Sequence, residues 1–277
     1  MNIIDGKKIA KQIREDIAKE VETFERPPGL AVILVGEDPA SAVYVRNKEL
    51  ACIEAGFFSD KIIKSENTTQ EELLDEIERL NNNPRIDGIL VQLPLPSHID
   101  SSKVIEHISP NKDIDGFHSE NIGKLTQNKS NLRPCTPKGV MTMLASIGCE
   151  VRGKDCVVVG ASNIVGKPMA LELLNAGGTV TICNSKTKDT AEKTRNADII
   201  VVGVGIPELV KGDWVKDGAI VIDVGINRLD DGSLVGDVDF DEIKDKAASI
   251  TPVPGGVGPM TIATLLENTV IAYKENL

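Results

Sequence analysis

Five polar side chains in three short segments of the sequence have the chemistry needed to act on a polar, ring-shaped substrate. Tyr44 and Lys48 lie in YVRNK, Gln92 lies in VQLPLP, and Asp113 and Asp115 lie in NKDIDGFH. Lysine and tyrosine can transfer protons, whereas an amide and a carboxylate can orient a ring through hydrogen bonds. We therefore expect a lysine, a tyrosine, an amide and a carboxylate to converge on one substrate.

The spacing of Tyr44 and Lys48 agrees with this interpretation but does not establish it. Residues four apart on a helix are separated by about 40° and share one flank. From spacing alone, an exposed pair lying over the core is the simpler interpretation. Gln92 favours the site, because it lies near the carboxyl end of an expected parallel strand, where sites of α/β proteins collect. Either Asp113 or Asp115 is also suited to bracing its own turn.

A glycine-containing turn predicts a second function, the binding of a nucleotide. In CVVVGASNIVGKPMALELLNAG, small residues at Gly160, Ser162 and Gly166 lie where a strand should turn into a helix. Small residues let backbone N–H groups approach a pyrophosphate, and the helix N-terminus favours its charge. The spacing G-x-S-x-x-x-G is weaker than G-x-G-x-x-G, and a plain tight turn is the alternative. The preceding strand and the following helical pattern favour the nucleotide.

The residues that follow the next strand indicate which dinucleotide binds. NAD-binding sites usually carry an acid there for the ribose 2′-hydroxyl. Here the strand ends in Cys183-Asn184-Ser185-Lys186, without an acid. A hydroxyl beside a lysine suits a 2′-phosphate, which favours NADP, although for Lys186 alone a solvated loop is the simpler explanation.

Val- and Ile-rich runs alternate with helical stretches, and this alternation predicts two α/β units with parallel sheets. The second unit should be a Rossmann-like, doubly wound parallel sheet, and the last helix is expected to return to the first domain. The expected strands span 30–36, 61–64 and 86–96 in the first unit, and 156–160, 179–183, 197–205 and 218–225 in the second.

Three further helices are expected around these strands. One begins at Asp38-Pro39 and ends near Gly56, and hydrophobic spacing predicts that it buries Val43, Leu50 and Ile53. A second begins at Thr136-Pro137. The pattern of the first 22 residues is typical of an amphipathic helix and not of a signal peptide.

Composition excludes several classes of protein. A net charge of −11 argues against non-specific nucleic-acid binding, and no apolar run approaches the length of a membrane-spanning helix. Five cysteines without a CxxC pair fit free thiols in a reducing compartment. Three widely spaced histidines give no reason to expect a metal.

The chain resembles the bifunctional methylenetetrahydrofolate dehydrogenase/methenyltetrahydrofolate cyclohydrolase family over nearly its whole length. Eight ordered segments carry the resemblance: YVRNK (44–48), DGILVQLPLP (87–96), KDIDGFH (112–118), PCTPKGV (134–140), VVGASNIVGKPMA (158–170), DVGIN (223–227), GDVDF (236–240) and PGGVGPMT (254–261).

The resemblance implies a cytoplasmic homodimer, joined through its Rossmann domains, that acts on one-carbon derivatives of tetrahydrofolate. Residues 1–136 with 263–277 would form the folate-binding catalytic domain, and residues 137–262 the dinucleotide-binding domain. The resemblance also implies that the enzyme acts in the one-carbon metabolism that serves purine, methionine and histidine biosynthesis.

The family's residue roles carry over to matching positions. Lys48 would be the central acid/base group, and Tyr44, Gln92 and Asp115 would complete the catalytic set. Further substrate-lining residues would be Val91, Leu93, Pro254, Gly255, Gly256, Val257 and Gly258. The dinucleotide would contact Gly160, Ala161, Ser162, Val165, Gly166, Ser185 and Ile226.

One departure from the family concerns the cofactor. Many relatives carry an arginine at the position of Ala161, and that arginine pairs with the 2′-phosphate. Its absence removes a bidentate clamp and leaves Ser185 and Lys186. NADP is still expected, with weaker 2′-phosphate affinity and some use of NAD.

Two alternative functions are compatible with the residues. One is an NAD(P)-dependent dehydrogenase of a small amino or hydroxy acid, although neither YVRNK nor PGGVGP supplies the expected pairing of a base with an arginine. The other is a nucleotide-sensing module without catalysis, which gives no reason for Tyr44, Lys48, Gln92 and Asp115 to occur together.

Overall fold

The computed structural model describes residues 2–276, apart from the side chains of residues 39, 40 and 42. The chain divides into two compact units, which we name by their sheets. The six-stranded unit comprises the residues up to Ala10 and Thr136–Thr261, and the three-stranded unit comprises Lys11–Cys135 and the chain from Ile262 onward.

Helices and strands alternate along much of both units. The strands are β1 Asn2–Ile3, β2 Gly29–Val35, β3 Phe58–Lys64, β4 Gly88–Val91, β5 Asp155–Val159, β6 Thr179–Cys183, β7 Ile199–Val202, β8 Ile220–Asp223, β9 Asn227–Arg228, β10 Leu234–Val235 and β11 Ser249–Ile250. The helices are α1 Gly6–Val21, α2 Pro39–Glu54, α3 Gln70–Asn81, α4 Ser101–His107, α5 Ser119–Thr126, α6 Cys135–Ser146, α7 Gly166–Asn175, α8 Thr190–Thr194, α9 Phe240–Ile243 and α10 Val257–Glu275. No helix in the described part of the chain is both long enough and apolar enough to span a bilayer.

The three-stranded unit has a parallel sheet in the order β3-β2-β4. Strand β2 is buried along its whole length, as expected for the central strand of a parallel sheet covered on both faces. The predicted return of the last helix is confirmed, because Leu265 and Leu266 of α10 lie in one core cluster with Leu30 and Val32 of β2.

The prediction for the buried face of α2 is wrong. Val43, Leu50 and Ile53 are 58%, 48% and 62% exposed. The helix instead buries mostly small side chains, namely Ser41, Val45, Lys48, Ala51 and Cys52. Small side chains let the helix axis approach the sheet closely, and this closeness outweighs the hydrophobicity of the larger residues on the opposite face.

The six-stranded unit has a parallel sheet in the order β1-β11-β8-β7-β5-β6. The chain runs from β5 outward to β6 and then crosses to β7 on the other side of β5. This reversal is the topological switch point at which doubly wound sheets bind their ligands, beyond the carboxyl ends of the strands.

The beginning of the chain differs from the prediction. Residues 1–10 were expected in the folate-binding domain, whereas the described residues up to Ala10 belong to the six-stranded unit. Strand β1 pairs with β11 at Ile3 and Ile250, and the Ile4 N–H donates to the Ile250 carbonyl at 2.9 Å. Both strands have only two residues, too few to show the alternation by which a strand is recognised in a sequence.

Candidate active site

Lys48 is held in the three-stranded unit by the start of α2 and by the segment after β4. The Asp38 carboxylate accepts the Ser41 N–H at 2.7 Å and so caps α2, which places Lys48 on the buried face three turns later. Lys48 is only 8% exposed, and its Nζ donates to Gln92 Oε1 at 2.9 Å. A buried ammonium with a defined partner is typical of a functional lysine rather than of a solvated one.

Gln92 is oriented by its position directly after β4. Its backbone N–H continues the sheet by donating to the Ile33 carbonyl at 2.9 Å, and its Nε2 donates to the Leu93 carbonyl at 2.6 Å. Because the amide nitrogen is committed to Leu93, the amide oxygen is left to accept from Lys48. Gln92 and Leu93 are both partly buried, whereas the side chain of Val91 belongs to the core behind β4.

Asp113 and Asp115 have different roles. The Asp113 carboxylate is 1% exposed and accepts from the N–H groups of Gly116 and His118 and from the amide of Asn121. It therefore braces the turn. Burial raises the pKa of Asp115 to about 6, while the nearby charge of Lys48 opposes that rise. Asp115 is thus the carboxyl group that accompanies Lys48.

Tyr44 lies one turn before Lys48 on α2 and is 37% exposed. Burial of part of the side chain raises the pKa of its hydroxyl, so the tyrosine stays protonated near neutral pH. The structure brings Lys48, Gln92 and Asp115 together, with Tyr44 beside Lys48 on the same helix. This constellation can hold a polar ring and move a proton.

The remaining predicted folate-lining residues, Pro254–Gly258, form the loop before and at the start of α10 in the six-stranded unit. The beginning of α1 holds this loop: the Lys7 N–H donates to the Gly255 carbonyl at 3.1 Å. A Cβ on Gly6 would lie 1.8 Å from the Gly256 oxygen, so only glycine fits there. Val257 is 4% exposed, and its side chain therefore packs inside the unit.

The glycine turn between β5 and α7 has the close approaches that a dinucleotide site needs. Gly160 has a φ of 126°, and a Cβ there would lie 2.2 Å from the Gly203 oxygen. A Cβ on Gly166 would lie 2.1 Å from the Gly160 oxygen. The Ser162 hydroxyl accepts the N–H groups of Val165 and Gly166 at 3.1 and 3.3 Å. The serine therefore shapes the turn and opens α7, and Ala161 lies partly exposed beside it.

Ser185 and Ile226 follow strands that end at the same edge of the sheet. The Gly160 N–H donates to the Cys183 carbonyl at 2.9 Å, which places the end of β6 beside the glycine turn. Asn184 then closes a tight turn by accepting the Lys186 N–H at 2.8 Å, and Ser185 and Lys186 are exposed on it. Ile226, after β8, is 42% exposed. The arrangement fits a dinucleotide lying across the carboxyl ends of β5, β6 and β8.

Sequence reasoning missed two buried aspartates that hold the loops at this edge. Asp237 is fully buried and accepts the N–H groups of Val204 and Gly205, which follow β7. Asp223 accepts the N–H groups of Gly225, Asp237 and Val238. Burial raises the pKa of Asp223 to about 7. An acid close to a glycine in both DVGIN and GDVDF was the available signal.

Comparison with known proteins gives matches over nearly the whole chain. Residues 4–115 match the catalytic domain of tetrahydrofolate dehydrogenase/cyclohydrolase, and residues 134–277 match its NAD(P)-binding domain. The chain is 67% identical over 274 residues to a bifunctional protein FolD of Ruthia magnifica subsp. Calyptogena magnifica, covering 99% of each chain.

Solved structures agree with these matches. A bifunctional FolD methylenetetrahydrofolate dehydrogenase/cyclohydrolase from Campylobacter jejuni superimposes with a TM-score of 0.98 at 51% identity, covering 100% of each chain. An N5,N10-methylenetetrahydrofolate dehydrogenase-cyclohydrolase from Trypanosoma brucei, complexed with NADP and an inhibitor, superimposes with a TM-score of 0.95 at 42% identity, covering 99% of this chain and 97% of that one.

Proposed function

The chain belongs to the tetrahydrofolate dehydrogenase/cyclohydrolase family, and from that premise we propose that Lys48 is the central acid/base group of its cyclohydrolase reaction and that NADP is its oxidant. The enzyme has methylenetetrahydrofolate dehydrogenase and methenyltetrahydrofolate cyclohydrolase activities. Membership of this family sets aside the two alternatives, an amino- or hydroxy-acid dehydrogenase and a nucleotide-sensing module.

The observation that supports the role of Lys48 is its environment. A lysine that is 8% exposed donates to an amide oxygen at 2.9 Å and lies near the carboxyl group of Asp115. One N–H of the lysine donates to Gln92, which orients Nζ, and its other N–H groups can donate to water or substrate.

In the first reaction, 5,10-methylenetetrahydrofolate loses a hydride to the oxidant and becomes the 5,10-methenyl cation. NADP, when bound, would supply the hydride-accepting nicotinamide ring. The protein's task is alignment, because holding donor and acceptor in contact removes much of the entropic barrier. We assign the anchoring of the pterin ring to Asp115 and contact with its face to Tyr44, and further contacts to Leu93 and the Pro254–Gly258 loop.

In the second reaction, water adds to the methenyl carbon, one carbon–nitrogen bond breaks, and a proton is released as 10-formyltetrahydrofolate forms. Protons must leave the attacking water and reach the nitrogen that is set free. Lys48 is the proton-transfer group in this proposal, and the Gln92 oxygen orients it. One pocket serves both reactions, because the cation does not need to leave between them.

NADP is proposed because the β5–α7 turn and the end of β6 fit it. The Gly160 and Gly166 positions leave no space for a Cβ, which is the form of turn that lets the backbone approach a pyrophosphate. Ser162, Val165 and Ala161 lie in that turn, and Ile226 lies along the same sheet edge. Ser185 and Lys186 are exposed where a 2′-phosphate would lie, and no acid is present there to repel it.

We also propose that the enzyme is a cytoplasmic homodimer joined through the six-stranded unit. The five free thiols suit a reducing compartment. Strand β6 is at the edge of the sheet, and Leu174 and Ile182 beside and on it are 56% and 41% exposed, an apolar surface suited to a second copy.

Replacement of Lys48 by methionine tests the proposed mechanism. Lys48→Met keeps the length of the side chain but removes the proton-transfer group, and we expect hydrolysis of 5,10-methenyltetrahydrofolate to fall about a hundredfold or more. The hydrolysis rate is followed by the loss of methenyl absorbance, and circular dichroism checks the fold.

Lys61→Met is the matched control, because Lys61 lies in the same unit and pairs with Glu49 at the surface. It should hydrolyse the methenyl compound at the wild-type rate. Hydrolysis by Lys48→Met at a rate close to that of the control would refute the acid/base role of Lys48.

A further inference from the structure

A buried amide on the last helix holds the loop that carries Asp115. Asn268 of α10 is fully buried, and its Nδ2 donates to the carbonyl oxygens of Ile114 and Arg133, both at 2.8 Å. These two carbonyls belong to different segments of the three-stranded unit, which are separated by α5 in the chain. A single side chain thus joins the segment that contains Asp115 to the segment that contains Arg133.

The segment that contains Arg133 in turn holds Asp115 itself. The Cys135 N–H donates to the Asp115 carbonyl at 3.3 Å, and the Cys135 thiol donates to the Ile114 carbonyl at 3.2 Å. A Cβ on Gly116 would lie 2.6 Å from the Arg133 carbonyl carbon, so the two segments are in direct backbone contact.

These bonds restrain the backbone from which the Asp115 side chain extends. The Ile114 carbonyl lies in the peptide plane before the Asp115 Cα, and the Asp115 carbonyl lies in the plane after it. Because peptide units are planar, hydrogen bonds to both carbonyls restrain φ and ψ of Asp115 and, with them, the direction of its Cα–Cβ bond. Asn268 bonds to the first plane directly and holds in place the segment that bonds to the second.

We propose that Asn268 is a positioning residue for Asp115, and that through it Asn268 sets the affinity of the enzyme for its folate substrates. This inference rests on the proposed role of Asp115 as the pterin anchor. Asn268 itself is buried behind the loop and acts only through the orientation of that carboxylate.

The proposal is tested by the steady-state kinetics of Asn268→Ala with methylenetetrahydrofolate, methenyltetrahydrofolate and NADP. Loss of the two hydrogen bonds lets the Asp115 loop move, and we expect the KM for both folates to rise about tenfold, the equivalent of one or two lost hydrogen bonds. The KM for NADP should change less than twofold, because the dinucleotide turn lies in the other unit.

Asn81→Ala is the matched control. The Asn81 amide also joins two segments of the three-stranded unit, donating to the His107 carbonyl and accepting the Ser109 N–H, both at 2.9 Å. Neither bond involves the carbonyls of Ile114, Arg133 or Asp115. The control should lower the melting temperature and leave the folate KM unchanged. The same pattern in Asn268→Ala, a lower melting temperature with an unchanged folate KM, would show that Asn268 is only structural.

Two further variants keep the test decisive. Asn268→Ser retains one donor, so its folate KM should lie between wild type and Asn268→Ala, and it replaces the alanine variant if that protein does not fold. The double variant Asp115→Ala/Asn268→Ala should have the same folate KM as Asp115→Ala, because Asn268 acts through Asp115. If the two substitutions instead multiplied their separate effects on the folate KM, the proposal would be overturned. Failure of the proposed role of Asp115 is distinguishable, because Asp115→Ala by itself would then leave the KM for both folates unchanged.

Discussion

Two aspartates separated by one residue perform different tasks in this enzyme, and only their surroundings distinguish them. Three donors surround the carboxylate of Asp113, which makes it part of the turn. The carboxyl of Asp115 is buried, and its charge is balanced mainly by Lys48. Functional groups held in this way commonly reduce the stability of the folded state, because their charge is more favourable in water.

Stability measurements on Asp115→Asn test this difference. The pKa of Asp115 is raised to about 6 in the folded protein. Ionisation of this carboxyl therefore favours the unfolded state once the pH rises above the pKa of the unfolded chain, and the full effect is reached above pH 6. Removal of that charge should therefore raise the free energy of unfolding at pH 8, on the order of 1 to 3 kcal/mol, with little effect at pH 4. Urea unfolding at both pH values measures the change, and folate affinity should fall in the same variant.

Asp113→Asn is the contrasting variant. It replaces an accepting oxygen by an N–H donor that faces other donors, so we expect lower stability at pH 8. If Asp115→Asn also lost stability at pH 8, the account of Asp115 as a destabilising buried charge would be wrong.

Among the secondary-structure elements, the β5–α7 turn has a specific conformation even though its sequence motif is weak. Its two glycines are required by contacts of 2.2 and 2.1 Å that their Cβ atoms would make. Ser162 takes the middle position and stabilises the turn through its hydroxyl. No such contact requires an alanine at position 161, so a larger side chain that binds the cofactor can be placed there.

Cofactor choice can therefore be changed at Ala161. Ala161→Arg supplies a guanidinium that can pair with a 2′-phosphate through two hydrogen bonds, and we expect the KM for NADP to fall about tenfold while the KM for NAD stays unchanged. Dehydrogenase assays with each dinucleotide give the ratio. Ala161→Met, of similar bulk but without charge, should not improve NADP use. Equal effects of arginine on both dinucleotides would exclude a 2′-phosphate clamp.

At the scale of the whole molecule, helix α1 begins in one unit and continues into the other. Ile4, just before the helix, is 1% exposed and joins β1 to the six-stranded unit through its bond to Ile250. Ile17, in the body of the helix, is 6% exposed and lies in the core cluster of the three-stranded unit. One short N-terminal segment therefore contributes to both hydrophobic cores.

Hydrogen exchange can separate the two contributions. Ile4→Ala and Ile17→Ala each remove a buried side chain and should cost about 2 to 4 kcal/mol. We expect Ile4→Ala to accelerate amide exchange first in β8 and β11, and Ile17→Ala to do so first in β2. Acceleration of the same strands by both variants would contradict the assignment of residues up to Ala10 to the six-stranded unit.

The α/β class, the family and the return of the last helix could all be predicted from the amino-acid sequence, because they depend on the alternation of strands and helices and on ordered motifs. The capped start of α2 and the glycine turn are likewise local. Lys48, Gln92 and Asp115 were identified from residue type and resemblance before their proximity was known.

Three features required the folded structure: the buried face of α2, the identity of the aspartate that braces its turn, and the contact between Asn268 and the Asp115 loop. The physical reason is the same in each case. Asn268 and Ile114 are 154 residues apart in the chain, so nothing in the spacing of either segment records their contact. Close packing of small side chains reversed the face of α2, because burial depends on the fit to a neighbouring surface as well as on hydrophobicity.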